Sequence, residues 1–550
     1  MGKYISLSSL ETVSLAQWLI YSIAIGPLMF VAYAIYNLYF HPLAHIPGPF
    51  WARASGIPSW RRALTGKRHI WLWQQFEIYG DRIRVAPNTV LFRDPQAYTD
   101  IYGMKSNVRR APFYKAFRRN KHEKTTINSI DIAEHAAKRK LLNLAFTDKT
   151  TRAASEFMTR HVDRWNELLL VSSNKDKESG WTTPVDMSEK LDTLVFDIMG
   201  DLCFGRSFDI KEPKGENPLR AIPHNISEYL KFYYPMCRSP FLDLLLWLKP
   251  RGLDALFGLI SPPAVKQYQK FVYENITSRI ALHNQQEASA MPESERRKDI
   301  FYFLASARDP DNGKAVYKEP ELRAESSLLI IAGSDTTSVS LSGIFFYLTA
   351  NPRCLDKVTA EIRTTFPTAE DIVHGPKLLG CQYLRACVDE GMRMTPTGPC
   401  ELPRQVLAGG ILIQGEYYPP GTILGTSPWV DSRNRDVFGA DAEVFRPERW
   451  IVDEDNGVTK ESAKRARDGF YPFLSGPGNC VGKNVAIAEM LITLARTLHR
   501  MDVRRAPGSK VGGGGPEQGW GARDPGQFQL FDAYIALRKG PEVQFRKRLD

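Results

Sequence analysis

Between about residues 68 and 395 the apolar residues recur every three or four positions, the spacing that lines one face of an α-helix. Ile132–Leu144, Met187–Leu202 and Val265–His283 are stretches of this kind. The spacing also predicts one long apolar helix over Glu321–Ala350, entered after Pro320 and closed before Pro352. Strand-like patterns come later. ILIQGEYYPPGTILGTS (411–427) alternates and carries turn residues, which predicts a small hairpin, and QLFDAYIAL (529–537) predicts a strand. The fold class that follows is mainly α with a minor β-sheet, without internal repeats.

The amino end departs from this periodicity. No residue from Val13 to Phe40 is charged, and a membrane helix needs only about 20 mostly apolar residues. Trp18, Tyr21, Tyr36 and Tyr39 stand towards the ends of the run, as an aromatic belt would. Ala32-Tyr-Ala34 matches a signal-cleavage pattern, but the run continues past it and is too long for a cleaved signal. Lys3 precedes the run, whereas Arg53, Arg61 and Arg62 follow it, which leaves the body on the cytosolic side. HPLAHIPGPF, with Pro42, Pro47 and Pro49, reads as a stiff extended hinge. The expected division is an N-terminal transmembrane anchor (1–41), a hinge (42–50) and one large body (51–550).

Composition adds little: 43% hydrophobic and 24% charged is ordinary for a globular protein. The net charge of +11 changes the picture more. Basic chains can bind nucleic acid, but no basic arm, zinc finger or RNA-binding signature is present, so no nucleic-acid partner is expected. The positive residues are dispersed, with a local cluster in RRNKHEK (118–124). Attraction to anionic lipid or to an acidic protein fits better. The seven cysteines are odd in number and include no C-x-x-C pair, which argues against a zinc site or a disulfide framework and for a reducing compartment. The sequons at Asn225 and Asn275 are then accidental.

Three segments carry candidate chemistry. AGSDTTS (332–338) places Gly333, Asp335, Thr336 and Thr337 inside the long apolar helix. A threonine there can bond the carbonyl one turn earlier, and a buried carboxylate is costly unless paired or solvated. Glu390 and Arg393 are spaced to face each other on a helix, with Arg449 of FRPERW as a further partner. FLSGPGNCVGKN (473–484) delivers Cys480 from a glycine-rich loop to the start of the helix VAIAEMLITLARTLHR. Three readings of that thiol compete: a small buried hydrophobe, a nucleophile activated by the helix terminus, or a metal ligand.

Together and in this order these segments resemble the haem-thiolate monooxygenases, the cytochrome P-450 family. AGSDTT resembles its oxygen-activating helix, Glu390-Gly-Met-Arg393 its ExxR, Pro447-Glu-Arg-Trp450 its PERF-type segment and Phe473–Gly482 its FxxGxRxCxG loop. YFHPLAHIPGPF, EHAAKRKLLNLAF and GPEVQFRKR look most like microsomal fungal members, including benzoate para-hydroxylase-like ones. The resemblance implies the cytochrome P-450 fold and haem b, with Cys480 as the axial thiolate on iron and Phe473, Gly476 and Gly482 shaping its loop. It implies Thr336 and Asp335 as the oxygen-binding and proton-relay residues. Arg404, His135 and Arg139 match residues that hold the haem propionates, and Glu390, Arg393 and Arg449 a buried structural triad. One departure stands out: the family's motif arginine is Gly478 here. If nothing else constrains that glycine, Gly478→Arg should slow haem loss; if the loop needs a positive φ there, the substitution should speed it.

The resemblance further implies an endoplasmic-reticulum membrane protein crossing once, with its body cytosolic. Its expected partners are membrane lipid, an NADPH-dependent reductase, cytochrome b5 and a small organic substrate. Lys138, Lys140 and Lys483 are expected on a basic surface that docks the reductase. Substrate contacts are expected from residues 104–133, Phe232–Ile260 and Thr397–Leu402, with Glu401 either on a basic substrate or paired with arginine. The expected reaction is oxygen insertion in fungal secondary metabolism. The alternatives are a catabolic aromatic-acid hydroxylase and a reductase-independent isomerase or dehydratase.

Overall fold

The computed structural model describes residues 15–118, 124–171, 180–213, 215–289, 292, 299–308, 313 and 317–548, with side chains from Ile25 onward. Residues 119–123 of the basic RRNKHEK cluster and Lys3 lie outside the described residues.

The longer helices are α1 Leu15–Ile35, α2 Ile132–Ala145, α3 Asp148–Val171, α4 Met187–Phe204, α5 Ile222–Cys237, α6 Pro263–Ala288, α7 Glu319–Ala350, α8 Pro352–Thr365, α9 Gln382–Met394 and α10 Lys483–Arg500. The body is mainly helical, as the periodicity predicts. Its core is one apolar cluster built chiefly from α3, α4, α7, α9 and α10. Starts are set by local chemistry. The Asp131 carboxylate accepts the Glu134 N–H at 2.8 Å and caps α2, and Asp186 does the same for Ser188 at the start of α4. α7 begins two residues earlier than the pattern predicts, with Pro320 inside its first turn, where a missing N–H costs nothing. Both sequon asparagines, Asn225 and Asn275, are buried within helices.

Five strands form the main sheet: β1 Arg82–Ala86, β2 Thr89–Phe92, β3 Val108–Arg110, β4 Arg404–Val406 and β5 Ile423–Thr426, in spatial order β1-β2-β5-β4-β3. The predicted 411–427 hairpin is therefore only half right. Ile411–Ile413 pairs with Glu416–Tyr418, but Ile423–Thr426 leaves that hairpin to run parallel to β2. The 529–537 segment is likewise not one strand. It breaks at Tyr534, whose φ is 78°, into Phe531–Ala533 and Ile535–Leu537, which pair antiparallel. The break aims Tyr534 into the body, against Phe113 and Phe117.

α1 continues through one π-helical turn, Tyr36–Phe40. Its apolar side chains from Ile25 to Phe40 are mostly exposed, Leu28 by 69% and Met29 by 66%. The described helix that is long and apolar enough to cross a membrane, α7, is instead largely buried in the core.

Candidate haem-binding and catalytic site

The cysteine loop closes back on itself and rests on the sheet side of the molecule. The Cys480 N–H donates to the Phe473 carbonyl at 2.8 Å, joining the two ends of the motif. Gly476 has φ +61°, and a Cβ there would overlap the Tyr102 carbonyl, so only glycine lets the loop approach Tyr102. Of the seven cysteines six are buried, and Cys480 alone is exposed. Protein around its sulfur excludes much of the bulk water and raises the thiol pKa, against the pull of the Gly482 N–H and the charges of Arg139 and Lys483.

A cluster of cations lies beside this loop. Arg139 on α2 donates to the Asn479 carbonyl and to its side-chain oxygen, so α2 is tied directly to the residue before Cys480. Arg404 on β4 is opposite Arg110 on β3 in the ladder. Its guanidinium meets the Tyr114 hydroxyl at 3.3 Å and lies over the Tyr102 ring at 5.0 Å. His135, one turn before Arg139, has a buried Nε2 without a hydrogen-bond partner among the described residues. Burial first, then Arg110, Arg139 and Arg404, push its pKa down to about 3. Burial and Arg404 likewise lower Arg110 to about 10. No carboxylate among the described residues forms an ion pair with Arg110, Arg139 or Arg404. Unpaired buried charge of one sign is expensive, so the cluster fits a bound anion. With an accessible thiol alongside, the donor set fits a cofactor that carries carboxylates and takes a sulfur ligand, as haem does.

Gly478 belongs to the same arrangement. Its φ lies outside the left-handed region, so backbone strain does not demand glycine. A Cβ at this position would instead sit 2.8 Å from Arg404 Nη2. The glycine leaves the room that the Arg404 guanidinium fills.

The Asp335–Thr336 pair sits in the middle of α7. Thr336 Oγ1 donates to the Ala332 carbonyl at 2.7 Å, as the sequence predicts. Asp335 Oδ2 is buried and has no partner among the described residues. Burial, with Asp192 adding repulsion, pushes its pKa up to about 8 despite Arg538 and Ser334. The next residue, Thr337, faces the buried Glu489 of α10, and α7 packs against the helix that follows Cys480. Burial raises Glu489 to about 8.

A cavity runs along α7 from Ala324 to Ala332. Phe117, Ile127, Tyr229, Leu230, Tyr534 and Ile535 close it, Thr125, Asn128 and Ser327 add polar atoms, and no charged side chain among the described residues lines it. Of the three expected pocket segments only 104–133 contributes. Tyr233, Tyr234 and Cys237 of the Phe232–Ile260 region are buried away from the cavity, and the rest turns outward, with Leu244, Trp247, Leu256 and Leu259 exposed. Thr397–Leu402 is absent from the lining because Glu401 is buried between Arg68 and Arg238, both hydrogen-bonded to it. Those arginines hold Glu401 below the usual carboxylate range in spite of its burial.

The ExxR residues form the expected buried set. Arg393 donates to both Glu390 oxygens at 2.8 Å, Arg449 reaches Oε1 at 3.4 Å and Trp450 Nε1 donates to Oε2 at 3.1 Å. One surface expectation is overturned. Lys140 and Lys483 are exposed, but Lys138 is buried, its ammonium 3.2 Å from Glu321 and 3.9 Å from Glu325. Sequence reasoning missed Arg110, Glu325 and Glu489. Arg109-Arg110 reads as an ordinary charge pair, and the two glutamates look like solvated positions of helices.

The whole chain is similar to known proteins. Residues 60–512 match the family model for cytochrome P-450. The cytochrome P-450 monooxygenase fscF of Fusarium equiseti is 34% identical over 525 residues, 94% of each chain. The monooxygenase apf7 of Gibberella fujikuroi is 32% identical over 98% of this chain and 99% of its own. AKT7 of Alternaria alternata, a third monooxygenase, is 31% identical over 94% and 95%. With a family match across most of its length and relatives of this kind end to end, the chain belongs to the cytochrome P-450 family of monooxygenases.

Proposed function

We propose that this protein is a membrane-anchored monooxygenase that inserts one oxygen atom from dioxygen into a neutral, largely apolar organic substrate of fungal secondary metabolism. Electrons come from an NADPH-dependent reductase. The observation that carries the reading is the accessible Cys480 thiol beside four cationic or basic groups that no carboxylate among the described residues pairs with. Haem, when bound, supplies dioxygen activation, which a thiolate ligand favours. The chain's part is to bind, orient and protonate. Arg404, Arg110, Arg139 and His135 would hold the haem carboxylates, and Cys480 the iron. Asp335, raised to about 8, keeps a proton near neutral pH at a position where Thr336 can help to place it.

The cavity lining supports a neutral substrate. An aromatic acid would leave water and meet no cation among the described lining residues, so that lining speaks against catabolic hydroxylation of such acids. The Asp335–Thr336 pair speaks against a reductase-independent isomerase or dehydratase, which has no need of a proton relay. Membrane attachment is supported by the exposed apolar face of α1. A second apolar patch, from Leu244 to Leu259, carries the exposed Arg251 between its helices, a mix that suits an anionic lipid surface.

The test is a metabolite comparison of strains with and without the gene, grown under isotope-labelled dioxygen. The proposal expects one compound, present only with the gene, that carries a single labelled oxygen. An unlabelled isomer or dehydration product would contradict it, as would a product whose recognised group is a carboxylate.

A further inference from the structure

A buried carboxylate grips the loop that walls the cavity. Glu325, on α7, has no exposed surface. Its Oε1 accepts the Thr126 N–H at 2.7 Å and the Thr126 hydroxyl at 2.8 Å. Residues 124–130 form a tight turn in which the Thr125 N–H bonds Asn128 Oδ1 at 2.9 Å. From the other side Arg110 donates to the carbonyls of Thr126 and Ile127. The turn is thus held between α7 and the cation cluster. It also supplies Thr125, Ile127 and Asn128 to the cavity wall, while Ala324, beside Glu325, lines the same cavity.

The surroundings of Glu325 suit a latch better than a plain structural bond. Lys138 of α2 stands 3.9 Å from Oε1 but is nearer to Glu321, at 3.2 Å. Glu321, one turn earlier on α7, and Tyr317, before the helix, are the other titratable groups facing it among the described residues. Oε2 is buried and has no partner among the described residues. A single carbonyl-like oxygen therefore does the holding, and the second oxygen gains nothing by being charged.

We infer that Glu325 is a positioning residue: through Thr126 it holds the 124–130 turn against α7 and so sets the shape of the substrate cavity and access to it. The inference rests on this cavity being the substrate site. The sign of its pH dependence follows from linkage. Burial, the largest influence, raises Glu325 to about 7 against the pull of Thr126 and Lys138. Opening the turn admits water and returns the group towards the ordinary carboxylate value. The closed turn thus binds the proton more tightly; this stabilisation is complete below the ordinary value of 4.5 and is lost as pH rises from there to about 7.

Hydrogen–deuterium exchange on the full-length, haem-loaded protein tests this. In Glu325→Ala, amide exchange over residues 124–130 should rise roughly tenfold, the loss expected for a hydrogen bond to a charged or strongly polar group. Release of phenylimidazole from the ferric haem should quicken by a similar factor. Glu325→Gln, which keeps an acceptor oxygen and cannot ionise, should hold the turn and abolish the pH dependence seen in the wild type. Thr126→Val, which keeps the N–H and loses the hydroxyl, should fall between them. Unchanged exchange over 124–130 in Glu325→Ala would overturn the inference, and so would an increase spread evenly through the core helices. A Glu325→Gln protein as open as Glu325→Ala would contradict it as well. Exchange does not depend on turnover, so failure of the latch is distinguishable from failure of the monooxygenase reading.

Discussion

Three guanidiniums and an imidazole crowd the edge of the cysteine loop, and the smallest residue among them governs how they are aimed. Because a Cβ on Gly478 would stand 2.8 Å from Arg404 Nη2, any substitution displaces the far end of a flexible side chain and leaves the backbone alone. Gly478→Ala should therefore leave the fold within about 0.5 kcal/mol of wild type. Haem transfer to an apo-globin acceptor should nevertheless quicken, by at most the ~1.5–3 kcal/mol of a charge-assisted hydrogen bond. Arg404→Ala should quicken it more. Haem loss from Gly478→Ala at the wild-type rate would show that Arg404 does not need the space. The departure at Gly478 was visible in the sequence, but its reason was not. A motif shows which residue is absent, while the group that fills the vacated room, here Arg404, comes from a strand elsewhere in the chain.

At the scale of elements, the Glu390–Arg393–Arg449 set joins α9 to the turn Pro447–Trp450. Burial alone would raise Glu390, but Arg393 and Arg449 hold it below the ordinary carboxylate value of 4.5. A depressed folded pKa contributes stability that is present above the unfolded value and lost as pH falls below it. Glu390→Gln should cost roughly 3–5 kcal/mol at neutral pH, because two buried arginines lose their counter-charge. It should also flatten the fall in melting temperature on acidification below 4.5. Equal melting curves for the two proteins across that range would mean that the set is dispensable. Most of the helices were legible because one face meets the core, so the period survives in the residues, whereas α7, buried all round over its second half, was legible as an apolar run between Pro320 and Pro352. The strands were less so. Ile423–Thr426 and Phe531–Leu537 are short, and their pairing depends on distant partners and on the turn at Tyr534 rather than on their own alternation.

Over the whole molecule, the excess of +11 is the property most open to experiment. Lys140 and Lys483 are exposed near the cysteine loop, and electrostatic docking weakens with salt. Lys483→Glu should slow reduction by the NADPH-dependent reductase and reduce its dependence on ionic strength. Lys138→Glu should leave docking unaffected and destabilise the fold, since Lys138 is buried against Glu321 and Glu325. Reduction rates indifferent to salt and to Lys483→Glu would move the docking surface elsewhere. Fold class and the cysteine loop were both readable from the chain, because each depends on local pattern. The cavity wall was readable only in part, because it is assembled from a loop, three helices and the Tyr534 turn. The proposed function depends on Cys480 being the sulfur that holds the haem iron. The most direct test is the absorption spectrum of the reduced, carbon-monoxide-bound protein and of its Cys480→Ser variant. The strongly red-shifted Soret band of a thiolate-ligated haem should be present in the wild type and absent from the variant, whereas its persistence in Cys480→Ser would contradict the account.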